Sequence, residues 1–219
     1  MNRKLFLTEV RKIWPEIDER QLERLFDYAK LLREIAYALG LSNLSREEDI
    51  LEKHLLDSLV LLPYLPQGAF CDLGSGAGLP GIPLKIVRPQ TEVYLIDSRR
   101  KAVSFLEYAS AKLGLKNLKV LRTRAEAPEV PREYFTAVVS RAVTALCELW
   151  DLAYPLLIPG GKLLALKGPR GEDEVKALKS KHPELHVRCH PYELPCGRPG
   201  MVIELFKSSP SLDSLDRPR

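Results

Sequence analysis

No stretch of this 219-residue chain approaches the ~18 consecutive apolar residues of a membrane-spanning helix, so no membrane partner is expected. The N-terminus, Met1 to Glu9, breaks into charge before the apolar region of a secretory signal forms. Four cysteines in this length make no disulfide framework, and a reducing, cytoplasmic location is the expectation. There are no internal repeats. Paired metal-ligand knuckles are also missing: His182, His186, Cys189, His190 and Cys196 follow no such spacing, and on an extended strand Cys189 and His190 point to opposite faces. No metal is expected.

What is present is ordinary globular material, 45% hydrophobic and 28% charged, with net charge +4. The charge is unevenly spread. Residues 1–66 carry 10 Lys+Arg against 12 Asp+Glu, and residues 67–219 carry 23 against 17. The larger part is therefore cationic, which fits a polyanionic partner as well as a merely solvated surface.

The chain is organised around Phe70-Cys71-Asp72-Leu73-Gly74-Ser75-Gly76-Ala77-Gly78-Leu79-Pro80-Gly81-Ile82-Pro83. An apolar run, a glycine-rich turn and a helical pattern with Pro80 in its first turn form the strand–loop–helix opening of a nucleotide-binding α/β unit. The glycines in phase with the strand end are Gly74, Gly76 and Gly78. Asp72, just before them, would repel a pyrophosphate at a helix N-terminus. The same carboxylate suits a ligand bearing ammonium and sulfonium groups, such as S-adenosylmethionine. A purely structural turn is the plainer alternative.

Before this unit, Asp18-x-x-Gln21 and Ser45-x-x-Glu48 read as capping boxes of two amphipathic helices, with stops at Gly40 and Pro63, and a shorter helix precedes Trp14-Pro15. Residues 1–66 are expected to form a helical lobe, 67–207 an α/β domain and 208–219 a disordered tail. Strands are expected near 69–73, 92–97, 117–121, 134–140, 161–167, 185–193 and 201–206. Helices fit 80–88, 99–113, 144–157 and 171–181. That alternation specifies a doubly wound, mostly parallel sheet. The Pro195–Gly200 turn is too short for a crossover, so the terminal strand is antiparallel, as in the class I methyltransferase (Rossmann-like) variant of the fold.

Candidate ligand residues follow the strand ends. Asp97 stands where such sheets place the acid for ribose hydroxyls, or else caps the next helix. Ala125 and Glu126 offer an N–H and a carboxylate for an adenine edge. Arg141, after the fourth strand, is placed for a carboxylate or phosphate and is the one candidate for a catalytic role. His54, Asp57 and Ser58 share one helical side, which suits a polar bridge from lobe to sheet, or to substrate, better than a hydrolase triad. After the fourth strand there is no Asn-Pro-Pro-Tyr clamp for exocyclic amines and no Pro-Cys nucleophile for pyrimidine C5. An acceptor with its own lone pair, such as guanine N7, fits this lack.

Together these segments are similar to the glucose-inhibited division protein B family, bacterial small-subunit ribosomal RNA guanine-N7 methyltransferases. The resemblance runs from about Asn43 to Lys207. It is carried by His54-x-x-Asp57-Ser58, the Asp72–Leu84 run, Ile96-Asp97-Ser98, Arg124-Ala125-Glu126, Ser140-Arg141-Ala142-Val143, Pro159-Gly160-Gly161 and Leu166-Lys167-Gly168. It implies cofactor contact at Gly74, Leu79, Ala125, Glu126 and Arg141, to which the residue pattern adds Asp72, Gly76 and Asp97. It implies methyl transfer from S-adenosylmethionine to N7 of one guanosine in 16S ribosomal RNA, free or in the small ribosomal subunit. Arg99, Arg100, Lys101, Lys167 and Arg198 are the candidates for RNA contact, and a monomer is expected. A small-molecule or protein methyltransferase would need no basic rim. A ribosome-binding module with a vestigial cofactor site would bind the cofactor without turnover.

Overall fold

The computed structural model describes residues 1–141 and 144–208. Helix α1 (Arg3–Ile13) opens with the Asn2 side chain accepting from the Leu5 N–H. Helix α2 (Glu19–Leu31) opens with the expected capping box, Asp18 and Gln21 each accepting from the other's backbone N–H. It runs on through a wider π-helical turn (Leu32–Ala36) toward Gly40, whose φ of 70° is the left-handed stop that glycine adopts without penalty.

The second capping box does not form. Helix α3 (Glu47–Ile50) begins after Arg46, with no side-chain cap. Its entry is held instead by ion pairs of Glu47 with Arg3 (2.8 Å) and Arg33 (3.5 Å). α3 continues as a π-helical stretch (Leu51–Leu56) and α4 (Asp57–Leu59), and Pro63 lies inside a 3-10 turn, Leu62–Tyr64, rather than ending the helix outright.

Strand and helix then alternate: β1 (Phe70–Leu73), α5 (Gly81–Val87), β2 (Val93–Ile96), α6 (Arg100–Lys112), β3 (Leu118–Leu121), β4 (Phe135–Arg141), α7 (Leu146–Ala153), β5 (Leu157–Lys167), α8 (Gly171–Lys181), β6 (Val187–Glu193) and β7 (Pro199–Phe206). The seven strands form one sheet in the order β3-β2-β1-β4-β5-β7-β6. All pairs from β3 to β5 are parallel, and β7 is antiparallel to both its neighbours, β5 and β6. This is the expected class I methyltransferase topology, with the chain-terminal strand inserted next to the edge. Two boundaries differ from expectation. α7 is shorter because Pro155 diverts the chain into a 3-10 turn (Tyr154–Leu156), and β5 starts at Leu157, with a register shift opposite Phe135–Ala137.

Side chains alternate across the sheet as strand geometry requires. Phe70, Val93, Leu95, Ala137, Val139, Leu164 and Val202 face α5, α6 and the N-terminal helices. Cys71, Tyr94, Ile96, Val138, Leu163, Ala165 and Ile203 face α7 and α8. The N-terminal helices therefore share a core with the sheet, from Phe6 and Tyr28 through Ile82 and Leu95. Polar contacts reinforce the junction. The fully buried Tyr28 donates to the Ala77 carbonyl, Gln21 Nε2 to Val87 O (2.9 Å), and Arg88 Nη1 to Leu65 O (2.8 Å). The expected disorder of the tail concerns residues of which 209–219 lie outside the described ones.

Candidate active site

Strand order reverses between β1 and β4, and in an open parallel sheet that switch point, outside the carboxyl ends of the strands, is where a ligand fits. The β1–α5 loop is shaped there by Ser75. Its Oγ donates to Asp72 O (2.9 Å) and accepts from Ile96 N (3.0 Å), and the Gly74 N–H donates to Ile96 O (2.8 Å), clipping the loop onto β2. Gly74, Gly76 and Gly78 have φ of 69°, 58° and 86°, the left-handed region that a Cβ disfavours.

Beside the loop is a cavity of about 570 Å³, within the range of small-molecule sites. It gathers Gly74, Gly76, Leu79, Asp97, Ala125, Glu126 and Arg141, residues that arrive from four strand ends. Leu41 of the N-terminal segment and Thr123, Glu148, Leu149 and Leu152 are among the other residues of its walls. Sequence spacing gave no sign of these five, because they reach the cavity only through the fold.

Asp97 is 5% exposed, and each of its oxygens is already engaged. Oδ2 accepts from Gly76 N (2.8 Å) and Arg99 Nη2 (3.0 Å), while Oδ1 accepts from Arg99 N (2.9 Å) and Nε (3.1 Å). Burial alone would raise this carboxyl, but the Arg99 fork and the Gly76 N–H outweigh it and hold it below the usual range. Arg99, a candidate for RNA contact, lines this cavity and clamps its acid. A Cβ on Gly76 would sit 3.3 Å from Arg99 Nη2, a tight contact that the fork could relieve by a small shift, so the glycine there is required by its φ of 58° rather than by the clamp.

Asp72 departs from its expected place. It is 0% exposed and does not line the cavity; its Oδ2 accepts from Gly81 N (2.9 Å), tying the start of α5 to β1. Gly81 must be glycine for this, since a Cβ there would lie 2.7 Å from Asp72 Oδ2 and 2.4 Å from Leu95 Cδ2. Oδ1 has no partner, and burial pushes the carboxyl up to about 7 despite the Gly81 N–H. A buried carboxyl with one orphan oxygen and its charge held back is a place where a nearby ligand cation is favourable. The donor set and the glycine loop thus fit S-adenosylmethionine, with Asp72 acting from behind the loop rather than in the wall.

Arg141, at the end of β4, turns toward the N-terminal helices. Nη1 donates to Lys53 O (3.2 Å) and to Asp57 Oδ2 (3.4 Å), and both Nη atoms lie 3.4 Å from His54 Nδ1. The shorter contact of His54 Nδ1, 3.1 Å to Lys53 O, assigns its proton to Nδ1; Nε2 then accepts from Ser42 Oγ (3.0 Å). Burial and the adjacent Arg141 push His54 down to about 4, so it is neutral at pH 7. The bridge from lobe to sheet expected of His54 and Asp57 is therefore formed, and Arg141 is its sheet end. Ser58 only closes the helix, donating to His54 O (2.6 Å).

The remaining cations divide. Arg100 and Lys101 are exposed on the first turn of α6, and Arg198 is exposed on the β6–β7 turn. Lys167 is not free to meet a phosphate. Its side chain is 7% exposed and donates to Thr144 O (2.6 Å) and Glu174 Oε2 (2.8 Å). Lys167→Met is expected to lower the unfolding free energy by about 2 kcal/mol in denaturant titration, by removing the donor to Thr144 O and leaving Glu174 with only the Leu146 N–H, while leaving the salt dependence of RNA binding unchanged. Ala142 and Val143 lie outside the described residues. Among the described residues, no group of three or more His, Cys, Asp or Glu side chains is placed to hold a metal ion, and no helix is long and apolar enough to cross a membrane.

The two shifted buried groups give opposite pH dependences. His54, lowered from 6.5 to about 4, contributes stability that is complete above pH 6.5 and is lost as pH falls toward 4. Asp72, raised from 3.8 to about 7, favours folding below 3.8 and costs stability as pH rises toward 7. Asp72→Asn removes the second slope and keeps the first. In urea titrations without ligand, the variant is expected to gain on the wild type by about 3 kcal/mol between pH 4.5 and 7. A constant offset across that range would mean that Asp72 ionises normally.

The family model described as "rRNA small subunit methyltransferase G" matches residues 21–191. The chain is 38% identical over 167 residues to ribosomal RNA small subunit methyltransferase G of Haemophilus influenzae, covering 76% of this chain and 82% of that protein. It is 40% identical over 178 residues to the protein of the same name from Halorhodospira halophila, covering 81% and 84%. Among solved structures, a predicted O-methyltransferase from Agrobacterium tumefaciens superposes with a TM-score of 0.56 at 20% identity, covering 73% of this chain and 82% of that one. A tRNA (m1A58) methyltransferase from Aquifex aeolicus does so with a TM-score of 0.53 at 18% identity, covering 70% and 69%. At these identities the likeness is one of fold.

Proposed function

Since this chain belongs to the rRNA small subunit methyltransferase G family, we propose that it uses the β1–β4 cavity to methylate N7 of one guanosine in the 16S ribosomal RNA of the small subunit. When bound, S-adenosylmethionine supplies an electrophilic methyl group on a positively charged sulfur. Asp97 would take its ribose hydroxyls in place of the exposed Arg99 fork, the Ala125 N–H and Glu126 its adenine edge, and the Gly74–Gly78 loop its amino-acid end, with Asp72 favouring positive charge behind the loop.

The observation that carries this reading is the convergence of Gly74, Asp97, Ala125, Glu126 and Arg141 on one cavity at the switch point. His54, near the cavity, is not free to act as a general base: it spends Nε2 on Ser42 and Nδ1 on Lys53 O. N7 carries an in-plane lone pair and loses no proton when it is alkylated. The residues' work is then to orient the base and exclude water.

Calorimetry should show S-adenosylmethionine binding and no NAD binding. Small subunits from cells lacking this protein should gain one methyl group when treated with it and S-adenosylmethionine, and the RNA should cleave at that guanosine after reduction and aniline treatment, because N7 methylation makes the ring cationic and labile. Methylation without cleavage would mean another acceptor atom.

A further inference from the structure

A second cavity, of about 410 Å³, opens on the other side of Arg141, which lines both. Its walls come from the N-terminal helices (Lys53, His54, Asp57), the end of β5, and the β6–β7 hairpin (Tyr192, Arg198). Its floor holds one carboxylate. The Asp57 side chain is 8% exposed; Oδ1 accepts from Tyr192 Oη (2.6 Å) and Oδ2 from Arg141 Nη1 (3.4 Å). Each carboxylate oxygen has two lone-pair directions, so both oxygens keep room for a further donor.

Burying a carboxylate in a cavity is costly unless donors meet it. The Arg141 contact is long, so the pair is only partly satisfied without a ligand. Lys53 and Arg198 also line this cavity, and the Arg198 residue is exposed. The polar groups thus have an order. Starting from the first cavity, a guanidinium comes first and a carboxylate lies beyond it, with cations in the walls.

We infer that this second cavity holds the target guanine, with the Arg141 guanidinium on O6 and the Asp57 carboxylate on N1–H and the N2 amine. The assignment rests on the guanine-N7 reading and deepens it. Guanine presents N7, then O6, then N1–H and N2–H₂ around its edge. With N7 toward the first cavity, O6 meets Arg141 and the two donors meet Asp57, while the ribose phosphates reach Lys53 and Arg198. Adenine reverses both contacts: its amine would face the guanidinium and its bare N1 the carboxylate. Asp57 and Arg141 therefore select guanine twice over, by attraction and by exclusion of the alternative. Tyr192 is a positioning residue that fixes the carboxylate, and neutral His54 packs beside Arg141 without adding a second positive charge.

The test uses full-length protein and reconstituted small subunits whose 16S RNA carries guanosine, inosine or 2-aminopurine riboside at the mapped target. Inosine lacks the N2 amine, and 2-aminopurine lacks O6 and N1–H. Wild-type kcat/KM is expected to fall about 10-fold on inosine and about 100-fold or more on 2-aminopurine, one and two lost contacts respectively. Asp57→Asn should lower kcat/KM on guanosine about 30-fold, bring the guanosine-to-inosine ratio near one, and leave the S-adenosylmethionine dissociation constant within about twofold. Equal wild-type rates on all three bases would overturn the assignment with the guanine-N7 reading intact, and so would an Asp57→Asn protein that kept the full guanosine preference. Cofactor binding with no methyl transfer to any guanosine N7 by the wild type would overturn the parent reading, and this one with it. The wild-type comparison needs no variant to fold.

Discussion

Asp97→Ala is expected to weaken S-adenosylmethionine binding roughly 100-fold, about 3 kcal/mol, with only a modest change in unfolding free energy. The carboxylate touches both halves of the first cavity. From β2 it accepts the Gly76 N–H of the opposite loop and the Arg99 fork. Removing it deletes the acceptors proposed for the ribose, frees the loop amide and releases Arg99 into the cavity. Hydrogen bonds to a charged acceptor contribute about 1.5–3 kcal/mol each, but the amide and the guanidinium regain water when released. Most of the loss therefore falls on binding. Asp97→Asn keeps the shape and one acceptor oxygen but cannot hold the Arg99 fork, and should lie between. Calorimetry on both variants checks the order, and an Asp97→Ala protein binding within a few-fold of wild type would mean that the ribose lies elsewhere.

How much of this site was legible depends on which residues are local to a strand end. Gly74, Asp97, Ala125 and Arg141 each follow a strand whose apolar run marks its end, and a doubly wound sheet brings all such ends to one edge. Asp72 sits on the strand itself, and its alternate-face direction buries it toward Gly81 rather than the cavity. Position in sequence suggested a ligand contact, whereas pleat parity decided otherwise. Arg99 and Lys167 are candidates for RNA contact by charge and by position after strands, but sequence shows charge and not partners. Asp97 lies two residues before Arg99, yet Thr144 and Glu174 come to Lys167 only through the packing of α7 and α8 against β5. Tyr192 was illegible for the same reason: its partner, Asp57, is 135 residues away.

The two cavities also differ in what their charges accomplish. In the first, Asp97 is kept ionised by the displaceable Arg99 fork and the Gly76 N–H, while Asp72 behind the loop is raised to about 7 by burial. A cationic ligand favours the ionised form of Asp72, so binding should release protons while Asp72 is protonated, just below pH 7, and release fewer as pH rises above it. In the second cavity, Asp57 and Arg141 face each other at 3.4 Å, longer than a strong ion pair. A base that inserts a donor and an acceptor there satisfies both partners at once.

Gly78→Val is expected to be the most damaging single change to the loop, lowering the unfolding free energy by about 4 kcal/mol and abolishing cofactor binding in whatever protein still folds. Gly78 has φ of 86°, where a β-branched residue is strained before it meets any neighbour. A Cβ there would lie 2.5 Å from Ile82 Cδ1 and 2.9 Å from Tyr28 Oη. Ile82 can rotate, but the Tyr28 hydroxyl is fixed by its hydrogen bond to Ala77 O, in a core where Tyr28 is fully buried. Either the loop moves into the cavity or α2 moves away from the sheet, and the second breaks the core that the lobe shares with α5. Gly78→Val combined with Tyr28→Phe separates the two costs. If the hydroxyl clash dominates, the double variant should be more stable than Gly78→Val alone, even though Tyr28→Phe by itself destabilises by about 1–2 kcal/mol through the orphaned Ala77 carbonyl. If the backbone strain dominates, the two losses should simply add, and thermal melts of the four proteins distinguish these outcomes.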